Sequence, residues 1–190
     1  MDVTAITGDI GAGKSTIAKL LAQKLQFELL DADRVTAELW KSEKVKAMAL
    51  SRWGSEIFDA SGDIIKPKIS HIIFTNDDEY KFCNSFLHPL IMNELQQQAR
   101  KFLHVVIEIQ LLFEVGRPEW VNKVVYVTAD LETRVRRCEI QRGWSVEELL
   151  RREKFLLPQE VKLSQSDYVI TNDGKLSEVT DQVNKLLINS

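Results

Sequence analysis

The chain has few of the residues that mark secreted, membrane or nucleic-acid-binding proteins. Its 190 residues include only two cysteines, Cys83 and Cys138, and no C-x-x-C pair, which argues against a disulfide framework or a zinc site. No apolar run reaches the roughly 18 residues of a membrane span, and no basic segment with an apolar stretch opens the chain. A net charge of −3 gives no electrostatic reason to bind nucleic acid. We therefore expect a cytoplasmic protein that binds neither membrane nor nucleic acid.

What is present is the composition of an ordinary globular domain, with 44% hydrophobic and 28% charged residues. Short apolar segments rich in β-branched residues alternate with helical patterns, which is typical of a parallel sheet with crossover helices. The sequence therefore predicts a three-layer α/β/α domain around a five-stranded parallel sheet. The predicted strands are Val3–Thr7, Phe27–Asp31, His104–Ile109, Lys123–Thr128 and Tyr168–Thr171.

A complete phosphate-loop motif, G-x-x-x-x-G-K-[ST], occupies residues 8–15. An apolar segment precedes it and a helical pattern follows it, which is the strand–loop–helix context that the motif requires. Its glycines allow backbone N–H groups to turn towards phosphate oxygens, and the following helix adds its positive N-terminal end. Lys14 is predicted to reach the β- and γ-phosphates of a nucleoside triphosphate, and the Ser15 hydroxyl to bind Mg²⁺.

Two aspartates, Asp31 and Asp33, follow the second predicted strand. In an open α/β sheet this strand end shares a crevice with the phosphate loop, so a carboxylate here could orient or deprotonate an acceptor hydroxyl. The alternative is a helix N-cap, for which Asp33 is well placed. The guanine-reading motif N-K-x-D is absent, because the Asn-Lys pairs at 122 and 184 lack the aspartate. A phosphotransferase is thus favoured over a GTPase.

The segment from Leu131 to Leu157 is rich in arginine and breaks at Gly143. Such a charge run is often a solvated face. The alternative is a lid whose arginines close over the triphosphate, exclude water and stabilise the charge on the transferred phosphoryl group.

Several segments, in order along the chain, resemble the dephospho-coenzyme A kinase family. The L-H-P-L-I and L-L-F-E stretches are more specific than the phosphate loop, and the resemblance spans nearly the whole chain. The similar segments are residues 7–16, 31–33, 87–91, 105–114 and 166–174.

The resemblance implies transfer of the ATP γ-phosphate to the 3′-hydroxyl of dephospho-CoA, with Mg²⁺ as cofactor. It implies one kinase domain over residues 1–190, with a core (1–32, 103–130 and 165–190), a helical substrate-binding region (about 33–102) and a lid (about 131–160). Asp33 matches the proposed general base, Glu108 would lie near Mg²⁺, and Arg137 or Arg142 would reach ATP from the lid. The implied nucleotide-binding residues are Gly8, Gly11, Ala12, Gly13, Lys14, Ser15 and Thr16.

The chain departs from the family pattern at several of these places. Asp9 stands where the family usually has glycine, and its carboxylate is open to three interpretations: contact with the acceptor, contact with the metal shell, or exposure to solvent. Lys66 replaces an arginine, which removes a bidentate fork for phosphate. Leu156 aligns with a glutamine that the family carries after the lid helix.

Two other functions remain open at this point. One is a kinase for a nucleoside monophosphate or another small hydroxyl acceptor, because its core would look alike. The other is an ATP-binding protein that has lost catalysis, which the departures motivate. We expect a monomer or a weak homo-oligomer whose partners are the small molecules ATP and dephospho-CoA.

Overall fold

The computed structural model describes residues 1–174 and 176–188, and this part of the chain forms two compact units. The first unit contains residues 1–31 and 98 onwards, and its centre is a parallel sheet. The strands lie in the order β2-β3-β1-β4-β5, and each neighbouring pair is parallel, as the sequence predicts. Their bounds are β1 Asp2–Gly8, β2 Glu28–Asp31, β3 His104–Glu108, β4 Lys123–Thr128 and β5 Tyr168–Thr171.

The three central strands β1, β3 and β4 are buried on both faces, so the predicted three-layer architecture is confirmed. On one face Ile6, Val125 and Ile170 pack against helices α1 (Lys14–Leu25) and α9 (Leu176–Ile188). On the other face the neighbouring residues of the same strands, such as Ala5 and Tyr126, are also fully buried. This alternation follows from the two-residue period of a strand.

Three further helices of the first unit lie between β4 and β5. They are α6 (Leu131–Arg142), α7 (Val146–Glu153) and α8 (Gln159–Ser164). Asp130 caps α6, because its carboxylate accepts the Thr133 N–H, and Gly143 ends that helix in the left-handed conformation. No helix among residues 1–174 and 176–188 has the length and apolar character needed to cross a membrane.

The second unit is helical and contains residues 32–97. It has its own core, in which Val45, Ala49 and Leu87 are buried among aromatic side chains. A turn at Asp59 connects Phe58 to Ile64, and these two residues form an antiparallel bridge. The helices are α2 (Ala32–Leu39), α3 (Glu43–Trp53), α4 (Lys66–Thr75) and α5 (Asp77–Ala99), with a 3₁₀ turn at Ser55–Ile57.

Two local predictions about this unit are wrong. The pair His88–Pro89 suggests a helix start, whereas Pro89 lies inside α5. That helix begins earlier because the Asn76 side chain accepts the N–H groups of Asp78 and Glu79. Likewise the N-cap interpretation, open to either aspartate, is wrong for Asp33, since α2 already begins at Ala32 and places Asp33 in its first turn; Asp31 is the residue directly before the helix.

Candidate active site

The phosphate loop connects β1 to α1 and is held in shape by three glycines. Gly8, Gly11 and Gly13 all have positive φ, at 143°, 78° and 88°. The loop also lies tightly on its neighbours, because Asp9 N donates to Val127 O over 3.0 Å. This is the backbone conformation that the motif predicts, with Gly13 directly preceding the first residue of α1.

Replacing Gly8 with Ala should abolish most of the stability of the first unit. A Cβ at position 8 would lie 1.9 Å from Val127 O, and φ is +143°. Overlap with rigid backbone and left-handed strain together should cost more than about 3 kcal/mol, measured by urea unfolding. Gly62→Ala is the matched control: φ is +77° there and no atom lies within 4 Å, so only about 1–2 kcal/mol should be lost. Equal losses in both variants would contradict the tight fit of the loop on β4.

The Lys14 side chain is buried and turned back over the loop. Its ammonium donates to the carbonyl oxygens of Gly8 at 3.2 Å and Asp9 at 2.9 Å. A buried ammonium is costly unless hydrogen-bonded, so these carbonyls hold the positive charge at the loop. The position fits the predicted role as a phosphate ligand.

Ser15 and Glu108, the two predicted metal residues, are in contact. Ser15 Oγ donates to Glu108 Oε1 at 3.1 Å, and Asp31 is the sheet neighbour of Glu108 on β2. Hydroxyl and carboxylate oxygens are ligands that Mg²⁺ prefers, and Mg²⁺ at nucleotide sites usually takes few protein ligands besides phosphate and water. Among residues 1–174 and 176–188 there is no cluster of three or more carboxylate, histidine or cysteine ligands. The pair therefore fits a magnesium ion brought with a triphosphate.

Asp33 lies at a cavity of about 450 Å³ inside the helical unit. The cavity also contains Lys66, the residue that stands in place of the family's arginine. Its walls combine apolar surface from Trp40 and Ile69 with the charges of Lys41 and Asp63. The complete lining is Asp33, Thr36, Ala37, Trp40, Lys41, Asp63, Ile64, Lys66 and Ile69.

The arginines of α6 differ in where they point. Arg137 Nη1 donates to Ala12 O in the phosphate loop at 3.3 Å, so one of the two predicted arginines contacts the loop. Arg142 instead stacks on the Trp144 ring at 4.7 Å, where Arg152 also lies at 4.0 Å. Arg134, which we did not predict, reaches Ile10 O at 3.5 Å.

Arg134 also pairs with Glu153 of α7, so it connects that helix to α6 and the loop. Ile10 of the loop is buried with Cys138 and Leu149, which extends the same connection through apolar contacts. The charged face of this segment is therefore directed partly at the phosphate loop, and it is not uniformly solvated.

Asn172 is a second residue that the sequence analysis missed. Its Nδ2 donates to Ala12 O at 2.7 Å. A Cβ added at Gly13 would lie only 2.5 Å from the same nitrogen. Asn172 directly follows β5, so its place at the carboxyl end of a strand was the available signal.

The Asp9 carboxylate is buried, so exposure to solvent, one of the three interpretations that the sequence left open, is wrong. Its oxygens accept hydrogen bonds from the hydroxyls of Tyr126 at 2.5 Å and Thr128 at 2.7 Å, and from Gln159 Nε2 at 2.8 Å. Leu156, at the position of the family's glutamine, packs beside Ile10 and Cys138.

Comparison with known proteins gives one consistent result. A dephospho-CoA kinase from Fusobacterium nucleatum is 30% identical over 186 residues, covering 96% of this chain and 95% of that protein. One from Arabidopsis thaliana is 31% identical over 194 aligned positions, covering 99% of this chain and 83% of that protein. A crystal structure of a Thermus thermophilus protein matches with a TM-score of 0.81 at 30% identity, covering 99% of this chain and 96% of that one.

A family model offers an independent comparison. The model for dephospho-CoA kinase matches residues 2–178, which include the phosphate loop, the helical unit and helices α6–α8. The chain therefore belongs to the dephospho-CoA kinase family.

Proposed function

We propose that this protein transfers the γ-phosphoryl group of ATP to the 3′-hydroxyl of dephospho-CoA, the last step of coenzyme A synthesis. The observation that carries the proposal is the family match across residues 2–178 together with an intact, correctly shaped phosphate loop. Small-molecule acceptors and ATP are its partners, and we expect it to work in the cytoplasm as a monomer or weak homo-oligomer.

The phosphate loop holds the triphosphate through backbone N–H groups, and Lys14 places its charge on the β- and γ-phosphates. The Ser15 hydroxyl and the Glu108 carboxylate would hold Mg²⁺. When bound, the ion neutralises charge on the phosphate oxygens and lowers the barrier to transfer.

The acceptor enters the cavity of the helical unit. Lys41 and Lys66 provide positive charge for the diphosphate of dephospho-CoA, and the apolar walls at Trp40 and Ile69 suit its carbon chain. Lys41 shares its charge with Glu38, 2.7 Å away, so Lys66 is the stronger candidate for phosphate contact.

Asp33 acts as general base in the proposed reaction. As the 3′-oxygen bonds to the γ-phosphorus and the bond from that phosphorus to the β–γ bridging oxygen breaks, the hydroxyl proton passes to the Asp33 carboxylate. Arg137, already beside Ala12, is the lid arginine best placed to stabilise phosphate charge, and Arg142 would have to leave Trp144 to do so.

A coupled assay of ADP release tests the function. With Mg·ATP, dephospho-CoA should give ADP at a rate well above that with nucleoside monophosphates, shikimate or water as acceptor. The product should carry the new phosphate on the 3′-oxygen by ³¹P NMR, and chelation of Mg²⁺ should stop the reaction. Faster turnover with another acceptor would favour a different small-molecule kinase. ATP binding without ADP release from any acceptor would identify a lapsed enzyme.

A further inference from the structure

The Asp9 carboxylate connects three parts of the first unit at one buried point: the phosphate loop, strand β4 and helix α8. Its Oδ1 accepts from Tyr126 of β4, and its Oδ2 accepts from Thr128 of β4 and from Gln159 of α8. Gln159 Nε2 also lies 3.0 Å from Thr128 Oγ1, so the donors form a closed set around the carboxylate. A buried carboxylate is stable only with such donors, and here both oxygens are satisfied.

Helix α8 has a second polar anchor one turn further along. Lys162 is buried, with its ammonium 4.0 Å from Glu114 Oε1 and 5.9 Å from the centre of the Tyr126 ring. The same Glu114 oxygen accepts the Leu157 N–H at 3.1 Å, just before the helix. Helix α8 is therefore held to the core by polar side chains on the face that also carries Gln159.

The position of Asp9 bears directly on phosphate binding. Its backbone carbonyl accepts a hydrogen bond from the Lys14 ammonium at 2.9 Å, and its backbone N–H donates to the Val127 carbonyl. We therefore expect a change at the Asp9 side chain to shift the carbonyl that positions Lys14. Burial and the hydrogen bond to Asp9 raise the pKa of Tyr126 above its usual value, so its hydroxyl stays a donor even in alkaline solution where an exposed tyrosine would ionise.

We propose that Asp9 is a positioning residue, and that its bond to Gln159 couples the position of α8 to the affinity of the phosphate loop for ATP. Helix α8 is the next helix after α6 and α7 along the chain. The bond between Gln159 and Asp9 therefore connects the end of the arginine-rich segment to the phosphate loop, which arginines of α6 also contact. The coupling rests on ATP binding by the loop and not on the identity of the acceptor.

The test is the dissociation constant of Mg·ATP, measured by calorimetry on the full chain. Gln159→Ala should weaken ATP binding about tenfold, because Asp9 loses one of its donors and its backbone carbonyl then holds the Lys14 ammonium less firmly in the position that binds phosphate. Gln165→Ala, an exposed glutamine just past the other end of α8, is the matched control and should stay within twofold. Amide hydrogen exchange of residues 9–13 should rise in Gln159→Ala and the melting temperature should fall by about 2–4 °C, while the KM for the acceptor stays close to wild type.

A double-mutant cycle shows whether Asp9 and Gln159 affect ATP binding through their shared hydrogen bond or independently. Asp9→Ala should also weaken ATP binding about tenfold or more, and adding Gln159→Ala to it should cost less than a further twofold. Independent, multiplying losses would overturn the proposal, and so would a Gln159→Ala protein that binds ATP like wild type. Gln159 lies at an exposed helix start, so that variant tests the proposal even if Asp9→Ala fails to fold. A failed acceptor assay would leave these ATP measurements unaffected.

Discussion

Replacing Lys14 with Met should lower kcat for ADP formation by about a thousandfold or more. Methionine keeps most of the buried volume but removes the only charge that this side chain brings to the transferred phosphate. It also removes the hydrogen bonds that the Lys14 ammonium donates to the carbonyls of Gly8 and Asp9. The measurement is the coupled ADP assay with saturating Mg·ATP and dephospho-CoA.

Lys19→Met on the same helix is the control for this experiment. Lys19 is exposed, so its loss should change kcat by less than twofold. Circular dichroism melts of both proteins separate lost chemistry from lost folding, because the Lys14 side chain is buried and its removal carries some structural cost. A Lys14→Met enzyme that keeps normal turnover would show that the loop does not bind the reacting phosphates.

Replacing Asp33 with Asn should lower kcat by at least about a hundredfold while the dissociation constant of Mg·ATP stays within about threefold. Asparagine has nearly the same shape but cannot take the proton of the 3′-hydroxyl. The loss should therefore fall on the chemical step, which single-turnover kinetics with dephospho-CoA measures directly.

Asp77→Asn supplies the matched comparison. Asp77 and Asp33 each lie in the first turn of a helix of the helical unit, so both variants lose a similar interaction with a helix N-terminus. Only Asp33 lines the cavity, and only its variant should lose activity. If Asp33→Asn retains turnover, the general-base role passes to another group, and Asp31 is the first to examine.

The five strands were predictable because their signal is local. Each is a short apolar run, and the observed bounds differ from the predicted ones by one residue at most; β1, for example, extends to Asp2 and Gly8. The phosphate loop was predictable for the same reason, since the fixed spacing of Gly8, Gly13 and Lys14 encodes a backbone conformation. The resemblance placed both Ser15 and Glu108 near Mg²⁺, but their contact is visible only in the structure, because the two residues are far apart in sequence.

Other features depended on contacts that no local pattern reveals. Pro89 suggests a helix start, but the Asn76 cap and the acidic first turn of α5 extend that helix through it. The two arginines that we expect in a lid look equivalent in sequence, yet Arg137 reaches Ala12 while Arg142 stacks on Trp144. Side-chain direction on a helix is set by what the helix packs against.

By itself, then, the sequence determined the parallel sheet and the nucleotide loop through short-range periodicity and motif spacing, and it indicated the family through the resemblance of several segments. Only the tertiary structure decided the environment of the Asp9 carboxylate, because its hydrogen-bond donors come from residues 117 to 150 positions away along the chain. The physical reason is that a buried carboxylate must find hydrogen-bond donors, and only the folded chain brings Tyr126, Thr128 and Gln159 to it.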